Sequence, residues 1–220
     1  MTLVQKNVIA GVFISSGNRK MGYIPSFSTL PGPESVGGSC DQENSKYCYK
    51  FCYAKNHCMR AKPTYKQNQD IAVKSPETVF DSIVNYLTRF AAPKHFRWFV
   101  SGDFVSQKFL YTVLRICSAV PDVLHLAFSK RFSFVSKCVA KIKKALNLSL
   151  ILSGCRDMPI PKRLLNNFVF SWIDDGGDEY WKEKRPAGYR FRECPGKCDD
   201  CGICWRLRKD DNTDIIFHKH

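Results

Sequence analysis

Four short apolar runs decide the fold: FRWFVSGDF (residues 96–104), VLHLAFSK (123–130), LSLILSGC (148–155) and FVFSWIDDGG (168–177). Each reads as a buried strand, over Phe96 to Val100, Val123 to Phe128, Leu148 to Leu152 and Phe168 to Ile173, and each ends in small or polar residues. Between them the apolar spacing turns helical. Phe109, Leu110, Val113, Leu114 and Cys117 share one face before Pro121-Asp122 breaks the pattern, and Val135, Val139, Ile142 and Leu146 align over about Ser133 to Ala145. A shorter helix is expected over 160–166. Strands alternating with helices predict βα units and a parallel sheet, whose chemistry gathers at the carboxyl ends of the strands.

Upstream, Ser75-Pro76-Glu77 is a helix start, with a hydroxyl cap, Pro in the first turn and an acid behind it. Val79, Phe80, Ile83, Val84, Leu87 and Phe90 continue it, and Val8 to Ile14 reads as a first strand. The units number about five or six, too few for eight-fold closure. The fold class expected is therefore α/β, an incomplete (β/α) TIM-like barrel of about five to six parallel strands with a cysteine-rich C-terminal metal-binding extension. An open doubly wound sheet is the second choice.

The chain has 220 residues and eleven cysteines. It lacks the ~18–20 residue apolar run of a membrane helix and a signal-peptide pattern at its start, so no membrane and a cytoplasmic location are expected. In a reducing compartment, clustered cysteines point to metal or redox chemistry rather than disulfides. Cys117, Cys138 and Cys155 stand alone among apolar residues and read as core thiols. The others form two groups. Cys40, Cys48, Cys52 and Cys58 lie in a loop beside Lys46, Lys50, Lys55, His57 and Arg60, whose charge favours thiolates. Cys194, Cys198, Cys201 and Cys204 fall within eleven residues, separated by Gly, Pro and Asp. Such tight spacing suits a four-iron cluster better than zinc, which usually takes two separated ligand pairs; zinc remains the alternative there. The two groups are also able to share one centre. His95, His125, His218 and His220 are scattered and read as structural or idle, as does His57.

The net charge is +14, spread along the chain; after Tyr180 ten Lys/Arg face seven Asp/Glu. Half the weight goes to a solvated basic surface and half to a nucleotide or nucleic-acid partner. Arg185, Arg190, Arg192, Arg206, Arg208 and Lys209 flank the second cysteine group, where they would raise a cluster's potential or grip phosphates.

Cys52-Tyr53-Ala54, following a loop cysteine and preceding a partial barrel, resembles the radical S-adenosylmethionine (radical SAM) enzymes. GNRKMG (17–22), IPSFSTLPG (24–32), FCYAK (51–55), SGDF (101–104) and the terminal cysteine-rich CW segment together resemble the phage gene product 88 family over most of the chain. That second resemblance implies a viral origin and the host cytoplasm rather than an activity. The radical SAM resemblance implies a [4Fe–4S] cluster on three thiolates, with S-adenosylmethionine on the open iron and a separate reductant. Cys48 and Cys52 match the first spacing of CxxxCxxC, but Lys55 stands where the last cysteine belongs, so Cys40 or Cys58 completes the set. Cys58 as a fourth ligand would close the site. The usual Gly-Gly-Glu is absent; Ser101-Gly102-Asp103 stands in its place, with Asp103 either facing the methionine ammonium or capping the next helix. Tyr53 and Lys130 complete the implied cofactor site, and catalytic residues stay unassigned.

The domains expected are 1–180, a radical SAM-like α/β unit with the cysteine loop 40–58, and 181–220, a basic metal-binding extension. The function expected is a divergent phage radical SAM-like iron–sulfur enzyme, with one or two clusters, acting on a nucleotide or nucleic-acid-related substrate. The alternatives are a non-catalytic metal-stapled nucleic-acid-binding protein and an iron–sulfur electron-transfer or redox protein.

Overall fold

A computed structural model describes residues 6–52, 54–55, 60–89 and 93–218. Its frame is one nine-stranded sheet. The strands are β1 (Lys6–Ile9), β2 (Val12–Ser15), β3 (Ser26–Phe27), β4 (His95–Trp98), β5 (Leu124–Ser129), β6 (Leu148–Gly154), β7 (Phe170–Asp174), β8 (Arg190–Glu193) and β9 (Thr213–His218). The helices used below are α1 (Gln42–Ser45), α2 (Lys62–Lys74), α3 (Pro76–Arg89), α4 (Gln107–Ala119), α5 (Phe132–Ser136), α6 (Val139–Lys144), α7 (Lys162–Leu165) and α8 (Cys198–Cys201).

The spatial order is β1-β2-β3-β4-β5-β6-β7-β9-β8. From β3 to β8 every neighbouring pair is parallel, whereas β1–β2 and β2–β3 are antiparallel. The order runs one way from β3 to β7, with no reversal of the kind that defines a doubly wound sheet. β1 and β8 are the two edges, so the sheet is open. β6 is buried along its whole length, as a strand covered on both faces must be. Residues after Tyr180 add β8 and β9 to this same sheet, with β9 between β7 and β8.

Alternation along the strands divides the core. Phe96, Trp98, Ala127, Leu150, Leu152, Phe170 and Trp172 pack with Val79, Ile83 and Leu87 of α3 and Phe109, Leu110 and Val113 of α4. Leu126, Ile151 and Val169 point the other way and pack with Met21, Ile24 and Trp205. No helix among the described residues is long and apolar enough to cross a membrane.

Several elements differ from the sequence expectation. Val8 to Ile14 is not one strand but a hairpin, because Ala10 and Gly11 both take positive φ (48° and 81°) and turn the chain between β1 and β2. The helix expected over 133–145 is broken into α5 and α6 around Cys138, and the one expected over 160–166 shrinks to α7. α2 had no strong apolar stripe; it is held by Asn68, whose side chain accepts from the Phe13 amide at 2.8 Å and donates to the Phe13 and Ser28 carbonyls. Phe90, expected to end α3, lies outside the described residues.

The joint between β7 and the later strands is ionic. Asp214 is fully buried and receives Arg185 at 2.7 and 2.8 Å, the Phe170 amide at 2.9 Å and the Trp172 indole N–H at 2.7 Å. Arg185 also donates to the carbonyls of Leu165 and Phe168, so it is a core residue and not a phosphate grip. Arg185→Met leaves the Asp214 carboxylate buried without its cation, and a urea titration should register a loss of about 3–5 kcal/mol; a loss below 1 kcal/mol would show that the joint carries little.

Candidate metal and cofactor site at the strand ends

The site begins with Asp103, just beyond β4. Its Oδ1 accepts the Ser129 hydroxyl at 2.7 Å and the Phe104 amide at 2.8 Å, and its Oδ2 accepts the Lys130 amide at 2.8 Å. Burial pushes this carboxyl above the ordinary range, against the pull of those donors and of Arg131. Asp103 is therefore a joint between the ends of β4 and β5. It does not cap α4; the Ser106 hydroxyl does, accepting from the Phe109 amide.

The cysteine loop hangs on this joint. The Asp103 amide donates to Ser39 Oγ at 2.8 Å, and Ser39 Oγ lies 2.7 Å from the Thr29 hydroxyl. Gly102 has φ of +79°, and a Cβ there would meet Thr29 Oγ1 at 2.1 Å, so only glycine lets the two loops close. Buried Arg131 donates from Nε and Nη2 to the Ser39 carbonyl at 3.0 and 2.6 Å and from Nη1 to Glu34 at 2.6 Å. Asn44 of α1 donates to the Lys130 carbonyl at 2.8 Å. Cys40 and Cys48, on either side of α1, are thereby fixed over the end of β5.

There they meet Cys155, the residue after β6. The Cys48 thiol donates to the Ser45 carbonyl at 3.6 Å; the neighbouring Cys155 thiol and the Lys130 charge favour its ionisation, burial opposes it, and Cys155 is held un-ionised in turn. Burial pushes the Cys40 thiol up to about 12, and the Asp103 charge adds to that. Desolvation draws the Lys130 ammonium down, but Cys48, Cys155, Cys40 and Asp103 together hold it above the ordinary lysine range. Cys155 packs in the main hydrophobic core, as Cys117 and Cys138 do, which is the place expected of it from the sequence. The Ser45 and Ser101 hydroxyls are buried without a hydrogen-bond partner in the described structure. Cys52 is half-buried, with extended backbone after a short turn. Tyr53, His57 and Cys58 lie outside the described residues.

The second group is built on the other face. Cys194 extends β8, its amide donating to the Ile216 carbonyl at 2.9 Å, and the Cys198 amide donates to the Lys20 carbonyl at 2.9 Å. The segment thus crosses the sheet from β8 to the loop between β2 and β3, with Trp205 buried beneath it and bonded to the Phe96 carbonyl. Cys194, Cys198, Cys201 and Cys204 line one pocket. Burial pushes Cys198 up and Cys204 up to about 12, while the Arg97 charge favours both thiolates. Arg97 and Lys20 are the cations beside these thiols, and their distance in sequence hid them. Arg208 is spent on the carbonyls of Trp205, Leu207 and Leu146, Lys209 lies over the Tyr189 ring, and Arg190 bonds the Asp211 carbonyl.

All the described cysteines are free of disulfides. Among the described residues no three Cys, His, Asp or Glu side chains stand where they could hold a metal ion as the chain is placed. Each thiol group nevertheless offers soft donors with a cation beside them, a donor chemistry that fits thiolate-ligated metal. His125 is a core residue, accepting the Trp98 indole N–H at 3.2 Å, with burial lowering it to about 4.

A family model described as Gene product 88 matches residues 10–207. No curated protein matches the chain, and no solved structure matches it.

The role of Lys130 is open to a direct check on metal-free protein. Lys130→Met removes the cation facing Cys48, so alkylation of Cys48 by iodoacetamide at neutral pH should slow about tenfold, one unit of thiol pKa. An unchanged rate would show that Lys130 does not govern this thiol.

Proposed function

We propose, taking as premise that this chain belongs to the gene product 88 family, that it is an iron–sulfur enzyme of the radical SAM kind. The observation that carries this reading is the tying of the Cys40–Cys48 loop, through Ser39 and Asn44, to Asp103, Lys130 and Arg131 at the carboxyl ends of parallel strands. The cysteine loop follows β3, the first strand of the parallel series, and SGD follows β4, the second. The one-way strand order also favours an incomplete barrel over a doubly wound sheet.

In this reading Cys40 and Cys48 are among the thiolates that hold a [4Fe–4S] cluster. When bound, the cluster supplies the electron that cleaves S-adenosylmethionine into methionine and a carbon-centred radical. The chain's own residues bind and shield. Asp103, Arg131 and Asn44 hold the cysteine loop on the strand ends, and Lys130 offsets the charge of the thiolates. The Ser101 and Ser45 hydroxyls offer unspent hydrogen-bonding capacity for a polar ligand. The net charge of +14 supports a nucleotide or nucleic-acid-related substrate in this reading.

Cys194, Cys198, Cys201 and Cys204 have a structural role in this reading. A metal centre there, iron–sulfur or zinc, ties β8 to the Lys20–Gly22 loop across the sheet.

Two results test the proposal. Anaerobically purified protein should be brown, contain iron and acid-labile sulfide, and give 5′-deoxyadenosine when reduced by dithionite with S-adenosylmethionine. Colourless protein with stoichiometric zinc and no sulfide would end the enzyme reading, and a loaded protein that binds nucleic acid but never cleaves S-adenosylmethionine would favour a binding protein. Cys198→Ser and Cys201→Ser should lower the melting temperature by several degrees, since metal binding and folding are coupled at such sites; variants that melt like wild type would remove the structural role.

A further inference from the structure

We infer that the outer face of α5, α6 and α7 is a docking surface for the phosphate backbone of a nucleic-acid duplex. This deepens the nucleic-acid part of the reading above, on which it rests, and is independent of any cluster.

The charge is less even than its total suggests. Residues 123–173 hold nine Lys/Arg against one acid, Asp157, and so supply more than half of the net charge of +14. Three of the nine are engaged elsewhere. Arg131 holds Ser39 and Glu34, Arg156 holds Asp175 and Asp178, and Lys130 lies beside Asp103. The other six, Lys137, Lys141, Lys143, Lys144, Lys162 and Arg163, are exposed, and none forms an ion pair among the described residues. Because α5 packs against both α6 and α7, these cations lie on one stretch of the helical layer. α5 begins three residues after β5 ends, so that stretch starts beside the strand-end site.

Packing explains where the cations point. Val139 and Ile142 of α6 and Leu164 of α7 are buried, which leaves the residues between them to solvent. Local helix stability does not call for this charge. Lys141 and Lys144 are three residues apart and repel each other. Lys162 and Arg163 open α7, the end at which a helix dipole disfavours cations. A surface that serves solubility alone mixes both signs. Here the acids are missing, and an anion from outside completes the surface.

Six cations spread over three helices suit a row of phosphates better than a single one. A membrane would need apolar residues beside the lysines to insert, but those of α6 face the core and Leu146 alone stands exposed in this stretch. A single strand would need free rings on which bases stack. Lys141 Nζ covers the Tyr111 ring at 4.4 Å, and the Arg131 guanidinium covers Phe134 at 4.9 Å. Backbone contact remains, and a duplex offers its phosphates as a rigid row.

Fluorescence anisotropy of a short labelled DNA duplex of mixed sequence, titrated with the full chain as purified at several salt concentrations, tests this. Log affinity should fall linearly with log salt, as it does when lysines displace counterions. Lys141→Gln with Lys144→Gln, and Lys162→Gln with Arg163→Gln, should each weaken binding about tenfold near physiological salt and lower the salt slope by about two. Lys62→Gln with Lys74→Gln removes the same charge from α2 and should change affinity by less than about twofold. Thermal melting of all three double variants should match wild type, since every substitution is exposed. Equal losses from the α2 pair would reduce the effect to net charge and overturn the surface, as would wild type that prefers a single strand or vesicles of anionic phospholipid. Wild type that binds no nucleic acid at all removes this surface and the proposed substrate class together. Duplex binding that survives in both helical-face variants removes the surface alone. Iron and sulfide content, measured on the same samples, decides the cluster separately.

Discussion

The buried carboxylate of Asp103 is the constraint on which the carboxyl end of this sheet depends. It accepts three hydrogen bonds from two strand ends, and its own amide holds Ser39. Hydrogen bonds to a charged acceptor contribute about 1.5–3 kcal/mol each, and burial makes the carboxylate costly to leave without them. The Cys40–Cys48 loop has little regular structure beyond the single turn of α1. It is placed through Asp103, with Arg131 and Asn44 as the second and third ties. Without those ties Cys40 and Cys48 have no fixed relation to Cys155 and Lys130.

The opposite face solves a different problem. An open parallel sheet has an apolar face that helices on the other side cannot cover. Here Met21, Ile24 and Trp205 cover it, carried by segments from opposite ends of the chain. Cys194, Cys198, Cys201 and Cys204 lie in the segment that leads into Trp205, and burial desolvates Cys198 and Cys204. Burial acts first on the thiols of both groups, but the charges beside them differ: Lys130 and Asp103 at the strand ends, Arg97 and Lys20 on the other face. The two groups thus sit in separate charge environments on the two sides of one frame.

Much of the frame was legible in the sequence, because buried parallel strands write themselves as uninterrupted apolar runs and the helices between them keep a clear spacing. The hairpin at Ala10-Gly11 was hidden because alanine occupies a left-handed position usually given to Asn or Gly. α2 was hidden because its anchoring residue is a polar Asn68. β9 was hidden because TDIIFH is short and lies beyond a cysteine-rich segment, and its place next to β7 depends on the long-range Arg185–Asp214 pair. The second cysteine group, whose four thiols line one pocket, was visible from spacing alone. The role of Arg185 was misread because its partner lies twenty-nine residues away.

The central claim is that the thiols at the strand ends hold an iron–sulfur cluster with one iron left open for a ligand. Mössbauer spectroscopy of isotopically enriched protein tests it most directly, because each iron of a cluster reports its own coordination. The account predicts the signature of a [4Fe–4S] cluster in which one iron alone changes when S-adenosylmethionine is added. A spectrum without a cluster, or one in which no iron responds to S-adenosylmethionine, would contradict it.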